Sequence, residues 1–270
     1  MGGLDTLAYA LGMALALMAA LFALSRLVVR YGLVPLSAAL SISGFNTSLF
    51  YLLILPGTVV HELSHYLACI VTFVHVRQVR LFSPQDDGVL GWVAYDQPDP
   101  FRRSLIALAP FIGGSAGIFL LVRAAFPAAQ LMPLALAPGG VAQSLAAAIS
   151  SIIVALRSAD LGQIATWIAL YLLFSLSFGV APSNDDLAPL ALYGLVALAV
   201  VVAVRFANEQ LGLGLAQSSA VDGAAGLLAR LFQGLDGLLF FACAVVGMGA
   251  LVLVPIAMLV YWLRSVLAQR

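Results

Sequence analysis

The sequence predicts an all-α polytopic membrane protein with six or seven transmembrane helices and a small membrane-associated β-hairpin. Three observations carry this. Of 270 residues, 63% are hydrophobic and 9% charged, with a mean hydropathy of +1.08; a soluble domain averages roughly 45–50% apolar and about 25% charged. Apolar runs close to the ~20 residues that cross a bilayer as a helix recur along the chain. Between two of them lies a polar island, His75–Pro100, with strand-forming patterns.

Residues 1–6 carry no basic segment, and the apolar run Leu7–Val29 is long enough to span. It is expected to remain as a helix rather than act as a cleaved signal. Tyr31–Gly44, with Pro35 and several serines, reads as a loop or re-entrant piece. Phe45–Val74 is the second long run, and it carries His61, Glu62 and His65 in its interior. In the polar island, Val74, Val76, Val79 and Leu81 sit among His75, Arg77, Gln78 and Arg80. Asp86-Asp87-Gly88 supplies turn chemistry and Val89–Tyr95 is rich in β-formers, so residues 74–96 read as a hairpin.

Arg102 and Arg103 open a third span that runs to Val122. It holds Pro110 and the small residues Gly113-Gly114-Ser115-Ala116-Gly117, which let helices approach closely in a bilayer. Phe126–Gly140, with Pro127, Pro133 and Pro138, reads as a connector, and Val141–Leu156 as a short span or interfacial helix. Leu161–Val180 is a span that ends at Ala181-Pro182-Ser183-Asn184-Asp185-Asp186. Leu187–Val204 and Leu235–Leu263 are further spans, joined by a Gly- and Ala-rich loop, Arg205–Gly234. The whole reads as one membrane-embedded domain. Arg77, Arg80, Arg102 and Arg103 on the hairpin side, with Arg26 and Arg30 after the first helix, favour a cytoplasmic hairpin and N-terminus. Zero net charge gives no reason to expect a nucleic-acid partner. Cys69 and Cys243 lie in apolar runs and read as small buried side chains rather than a disulfide.

His61-Glu62-Leu63-Ser64-His65 is an HExxH pattern. On a helix, residues four apart share a face, so both imidazoles can bind one Zn²⁺. Glu62 lies beside that face, placed to take a proton from a water whose pKa zinc lowers towards ~7. Metalloproteases use the pattern for this reason. Ionisable groups inside a span are expensive and point to function. A catalytic zinc needs a third protein ligand. His75 lies beyond the predicted helix end, Glu209 falls in a predicted loop, and Val71 stands where a metzincin would need histidine. Asp186, with Asp185 in reserve, sits at a break between two apolar runs behind Pro182, where irregular backbone can line a cavity. Asn184 beside them is a candidate for contact with the substrate backbone.

The chain here resembles the site-2 protease family of intramembrane zinc metalloproteases, as a divergent member. The resemblance rests on His61-Glu62-x-x-His65 in a span, the hairpin at Val74–Tyr95, Ala109-Pro110-Phe111-Ile112-Gly113-Gly114, and an Asp at a later helix break. It covers roughly residues 45–190, leaving 1–44 and 191–270 as flanking helices. It implies a three-helix catalytic core with one zinc per chain on His61, His65 and a downstream Asp, and Glu62 as general base. It also implies single-pass membrane proteins as substrates, cut within their membrane segments near the cytoplasmic face. The segment Pro182-Ser183-Asn184-Asp185-Asp186-Leu187 departs from the family's pattern in lacking its glycine. An unwound substrate is expected to add as a strand to the hairpin edge, where Gln78 and Arg80 lie. Two rivals remain: a membrane zincin that cuts soluble or interfacial peptides, and a non-enzymatic metal-binding scaffold or ion transporter. Oligomeric state is not legible.

Overall fold

The computed structural model describes residues 3–36, 46–83, 90–127, 140–211 and 219–267. Among these the chain forms seven helices and one two-stranded antiparallel sheet. Helix α1 (Gly3–Leu27) widens into a π-helical stretch (Val28–Leu33). Helix α2 is Asn46–Val71, strands β1 and β2 are Val76–Arg80 and Trp92–Tyr95, and α3 is Pro100–Ala125. Helices α4 (Gly140–Ser158), α5 (Ile164–Gly179), α6 (Asn184–Leu211) and α7 (Ser219–Leu267) follow. Five are long and apolar enough to cross a membrane, within Gly3–Leu36, Tyr51–Val71, Pro100–Ala125, Asp185–Leu211 and Ala220–Val266. The expected spans at Val141–Leu156 and Leu161–Val180 appear as helices with shorter apolar stretches, Ile149–Ser158 and Ile164–Gly179.

Three expectations change. Tyr31–Leu36 continues the first helix instead of opening a loop, while 37–45 lies outside the described residues. Most of Arg205–Gly234 is helical rather than loop: α6 runs to Leu211 and α7 begins at Ser219. The cause is packing, since Ala225 and Ala229 bury against Leu7, and alanine is the best helix former. Glu209 is therefore helical, paired with Arg205 at 3.0 Å. The N-terminus and the hairpin also do not share one end of the bundle. Asp5 meets Arg205 at 2.8 Å, whereas Asp186, near the hairpin, begins the same α6, on the order of 30 Å away at 1.5 Å per residue.

Helices α1 and α7 run side by side. The Gly3 N–H donates to Asp222 Oδ1 at 2.6 Å, and Gly32 lies against Leu253 and Val254. The apolar core between the helices includes Leu21, Phe111, Ile118, Phe126, Leu239 and Phe241. Outward, α6 leaves Leu192, Leu195, Val196 and Val200 exposed, a face suited to lipid. Cys69 and Cys243 are both buried and unpaired with each other, as expected.

Helix α2 ends in a cap that closes towards the hairpin. Val74 N–H bonds Cys69 O at 2.8 Å and Phe73 N–H bonds Ile70 O at 3.1 Å, the paired bonds of a Schellman motif. Phe73 holds φ 57°, in the left-handed region normally taken by glycine. The strands then pair Val79 with Val93 and Arg80 with Trp92. The predicted turn at Asp86-Asp87-Gly88 and the connector's residues 128–139 lie outside the described residues.

Candidate metal centre

Three side chains from two helices converge on one buried point. Helix α2 carries His61 and His65 one turn apart, and α6 carries Asp186 in its first turn. All three are buried, as is Glu62. The pairs close a triangle: His61 Nε2 to His65 Nε2 3.2 Å, His61 Nε2 to Asp186 Oδ2 3.3 Å, His65 Nε2 to Asp186 Oδ1 3.3 Å. Ligands 2.0–2.1 Å from a tetrahedral zinc stand about 3.3–3.4 Å from one another. The observed spacing is that of three corners of such a tetrahedron.

The outer nitrogens fix the chemistry of the inner ones. His61 Nδ1 donates to Gly179 O at 2.8 Å and His65 Nδ1 donates to Ile106 O at 2.9 Å. A carbonyl oxygen only accepts, so each Nδ1 carries a hydrogen, and a neutral ring then turns a bare Nε2 lone pair inward. With both rings neutral, the two lone pairs and the carboxylate share no hydrogen. A cation satisfies all three, and the donor set of two imidazoles and one carboxylate suits zinc. The residues present thus fit the metal.

Both carbonyls are available because their helices do not use them. The N–H four residues after Ile106 would belong to residue 110, and Pro110 has none. Gly179 ends α5, and the N–H that a continuing helix would return to it, from Ser183, goes instead to Asp186 Oδ2 at 3.0 Å. Ser183 Oγ also donates to Asp186 Oδ2 at 2.5 Å and accepts the Asp186 N–H at 3.2 Å. This is a reciprocal capping box with Asp at its fourth position. It is Ser183 that caps α6, while Asp186 is held by the cap and turned to the histidines.

Close helix contact sets these positions. A Cβ added to Gly57 or to Gly179 would run into the facing backbone, of Ser175 and of Gly57 respectively. Gly57 N–H donates to Ser175 Oγ at 2.9 Å. On the other side, Ser64, whose Oγ donates to Val60 O at 2.6 Å, fills the space left by Gly113. Gly114 meets Val180. The small residues of α3 thus bring three helices around the two imidazoles.

Glu62 is not one of the three converging groups, but lies within electrostatic reach of all of them. The hairpin covers it: a Cβ on Gly91 would come 2.9 Å from Glu62 Cγ. Tyr95 of β2 is partly buried here, and burial pushes its phenol above the ordinary value. Asp185, the reserve ligand, is exposed and outside the cluster. Gln78 and Arg80 lie exposed on β1, opposite Ala94 and Trp92. The side chain of Asn184 lies outside those described. His75 pairs with Asp96 at 3.6 Å, away from the centre, and Asp96 also pairs with Arg77. The sequence reading named Ser183 and Pro110 without giving either a role at the centre, and it did not foresee the Gly57–Gly179 crossing. The signal for the first was Ser-x-x-Asp at a helix start, and for the second a proline inside a span.

Comparison with protein-family models, curated proteins and solved structures finds no match for this chain.

Proposed function

We propose that this protein is a zinc metalloendopeptidase that cuts peptide bonds in or near the transmembrane segments of other membrane proteins. The observation that carries the reading is the closed triangle of His61, His65 and Asp186, buried between two span-length helices beside Glu62. Bound zinc would supply Lewis acidity to polarise the scissile carbonyl and would lower the pKa of water towards ~7. Glu62 takes the water's proton on its carboxylate and passes it to the leaving amide nitrogen. His61 and His65 would hold the metal through Nε2, their Nδ1 hydrogens staying with main-chain carbonyls. Asp186 would complete the ligand set.

Access from the bilayer supports a membrane substrate. Leu63 and Leu67, on the same helix as Glu62, are exposed, so lipid-embedded chains can approach within a turn of the base. A helix hides its carbonyls in internal bonds, and the substrate must unwind before it is cut. The hairpin lies against Glu62, and an unwound segment added to its edge would receive main-chain hydrogen bonds. Gln78 and Arg80 are the proposed contacts on β1, and Asn184 a further one beside Asp186. The proposed opening faces the cytoplasm, on the side where Arg77, Arg80, Arg102 and Arg103 cluster.

The test is zinc content together with cleavage of a panel of single-span membrane substrates, with wild type compared against Glu62→Gln. We expect one zinc per chain in both and cleavage in wild type alone. Cleavage of soluble peptides in preference to the panel would favour an interfacial zincin. Zinc in both with equal activity would refute Glu62 as base, and a wild type that binds no zinc would sink the reading.

A further inference from the structure

We infer that Pro110 is a positioning residue for the metal centre: lacking an amide hydrogen, it leaves the Ile106 carbonyl free to hold His65. The inference deepens the proposed zinc site and rests on it for the affinity measured below. Helix α3 runs unbroken from Pro100 to Ala125 with Pro110 buried in its interior. Proline inside a helix destabilises it, because it deletes one main-chain bond and crowds the carbonyl four residues back. Here that carbonyl belongs to Ile106, and His65 Nδ1 donates to it at 2.9 Å. A donor from a neighbouring helix has taken the place of the missing amide.

The same arrangement recurs where no metal ligand is involved. Helix α2 contains Pro56, and the carbonyl four residues back, Leu52 O, accepts the Tyr171 hydroxyl at 2.5 Å. Proline in these spans thus acts as a device for exporting a carbonyl to another helix. At Pro56 the export ties α2 to α5. At Pro110 it selects the tautomer of a ligand, because His65 must place its hydrogen on Nδ1 to use the carbonyl. The imidazole is thereby oriented before metal arrives.

Pro110→Ala tests this in the full-length, detergent-solubilised protein. Alanine keeps the Cβ and restores the amide, which competes for Ile106 O. We expect the zinc dissociation constant, read by competition with a chromogenic chelator, to rise about 10–100-fold, the range for loss of an outer-shell partner. The metal-free protein should melt at an equal or higher temperature, because the helix regains a bond. Weaker zinc binding without a lower melting temperature separates positioning from packing, because lost packing would weaken binding and lower the melting temperature together. Pro56→Ala, whose freed carbonyl holds Tyr171 and no ligand, should leave the His65 tautomer unchanged. Imidazole ¹⁵N shifts of the metal-free protein give a readout that needs no zinc: His65 should hold its hydrogen on Nδ1 in wild type and lose that preference in Pro110→Ala. Wild-type tautomer and affinity in Pro110→Ala would overturn the inference. A wild type with the Nδ1–H tautomer but no zinc affinity would instead overturn the proposed function.

Discussion

The crossing of α2 and α5 at Gly57 gives the sharpest handle on how packing sets the centre. Gly57→Ala drives a methyl group into the Ser175 carbonyl oxygen and leaves it 2.7 Å from the carbon of that carbonyl and 3.1 Å from Gly179 N, where ordinary contact begins at 3.4 Å. All three atoms are backbone and cannot rotate away, so the helices must part by more than ~0.7 Å. That retreat carries Gly179 O with it. The His61 Nδ1 bond, now 2.8 Å, would stretch past ~3.5 Å, beyond useful hydrogen-bond length. The bond from Gly57 N–H to Ser175 Oγ, now 2.9 Å and buried, suffers too. Overpacking costs ~1–3 kcal/mol, and loss of an outer-shell partner weakens metal binding about 10–100-fold. The expected result is a lower unfolding midpoint in detergent together with weaker zinc binding by chelator competition. Gly12→Ala is the control, because nothing stands within 4 Å of a Cβ there. Wild-type zinc affinity in Gly57→Ala would refute the argument that helix approach positions His61.

Two further outcomes follow from the caps. Ser183→Ala removes the donor to Asp186 Oδ2 and the acceptor of the Asp186 N–H; it should cost ~1 kcal/mol of stability and weaken zinc binding. Ser183→Thr should retain both, and unaltered zinc affinity in the alanine variant would show that Asp186 is held by other means. Phe73→Gly should raise stability in detergent by the order of 1 kcal/mol, because a bulky residue at φ 57° is strained and its ring, 89% exposed, makes little packing to lose. A fall in chemical-denaturation stability would show that the exposed ring contributes more than the strain takes away.

Legibility in the sequence tracked how local each feature is. His61, Glu62 and His65 lie on adjacent turns of one helix, so five residues of text place them. Asp186 was readable because it is an acid at the break between two apolar runs, but its orientation depends on Ser183, which caps α6 and holds it. Carbonyl acceptors leave almost no trace, since every residue has one; only Pro110 marks Ile106. The start of α7 read as loop because Gly223, Gly226 and Gly234 argue individually against a helix. Their Cβ positions face open space, and burial of Ala225 and Ala229 against Leu7 decided the matter. The N-terminus was placed on the hairpin side from arginine counts alone, whereas Asp5–Arg205 fixes it at the other end of α6.

The use of main-chain oxygens to hold both histidines has a consequence for descent. A carboxylate partner can be deleted by one codon change, whereas a carbonyl survives any change of its own side chain. Position 106 can drift among residues that fit the core and still present the same acceptor to His65. What a lineage must keep is the proline four places on, the glycines that allow close approach, and the break after Gly179. Such a centre can persist while the text around it is rewritten, leaving its kinship visible in a handful of positions only.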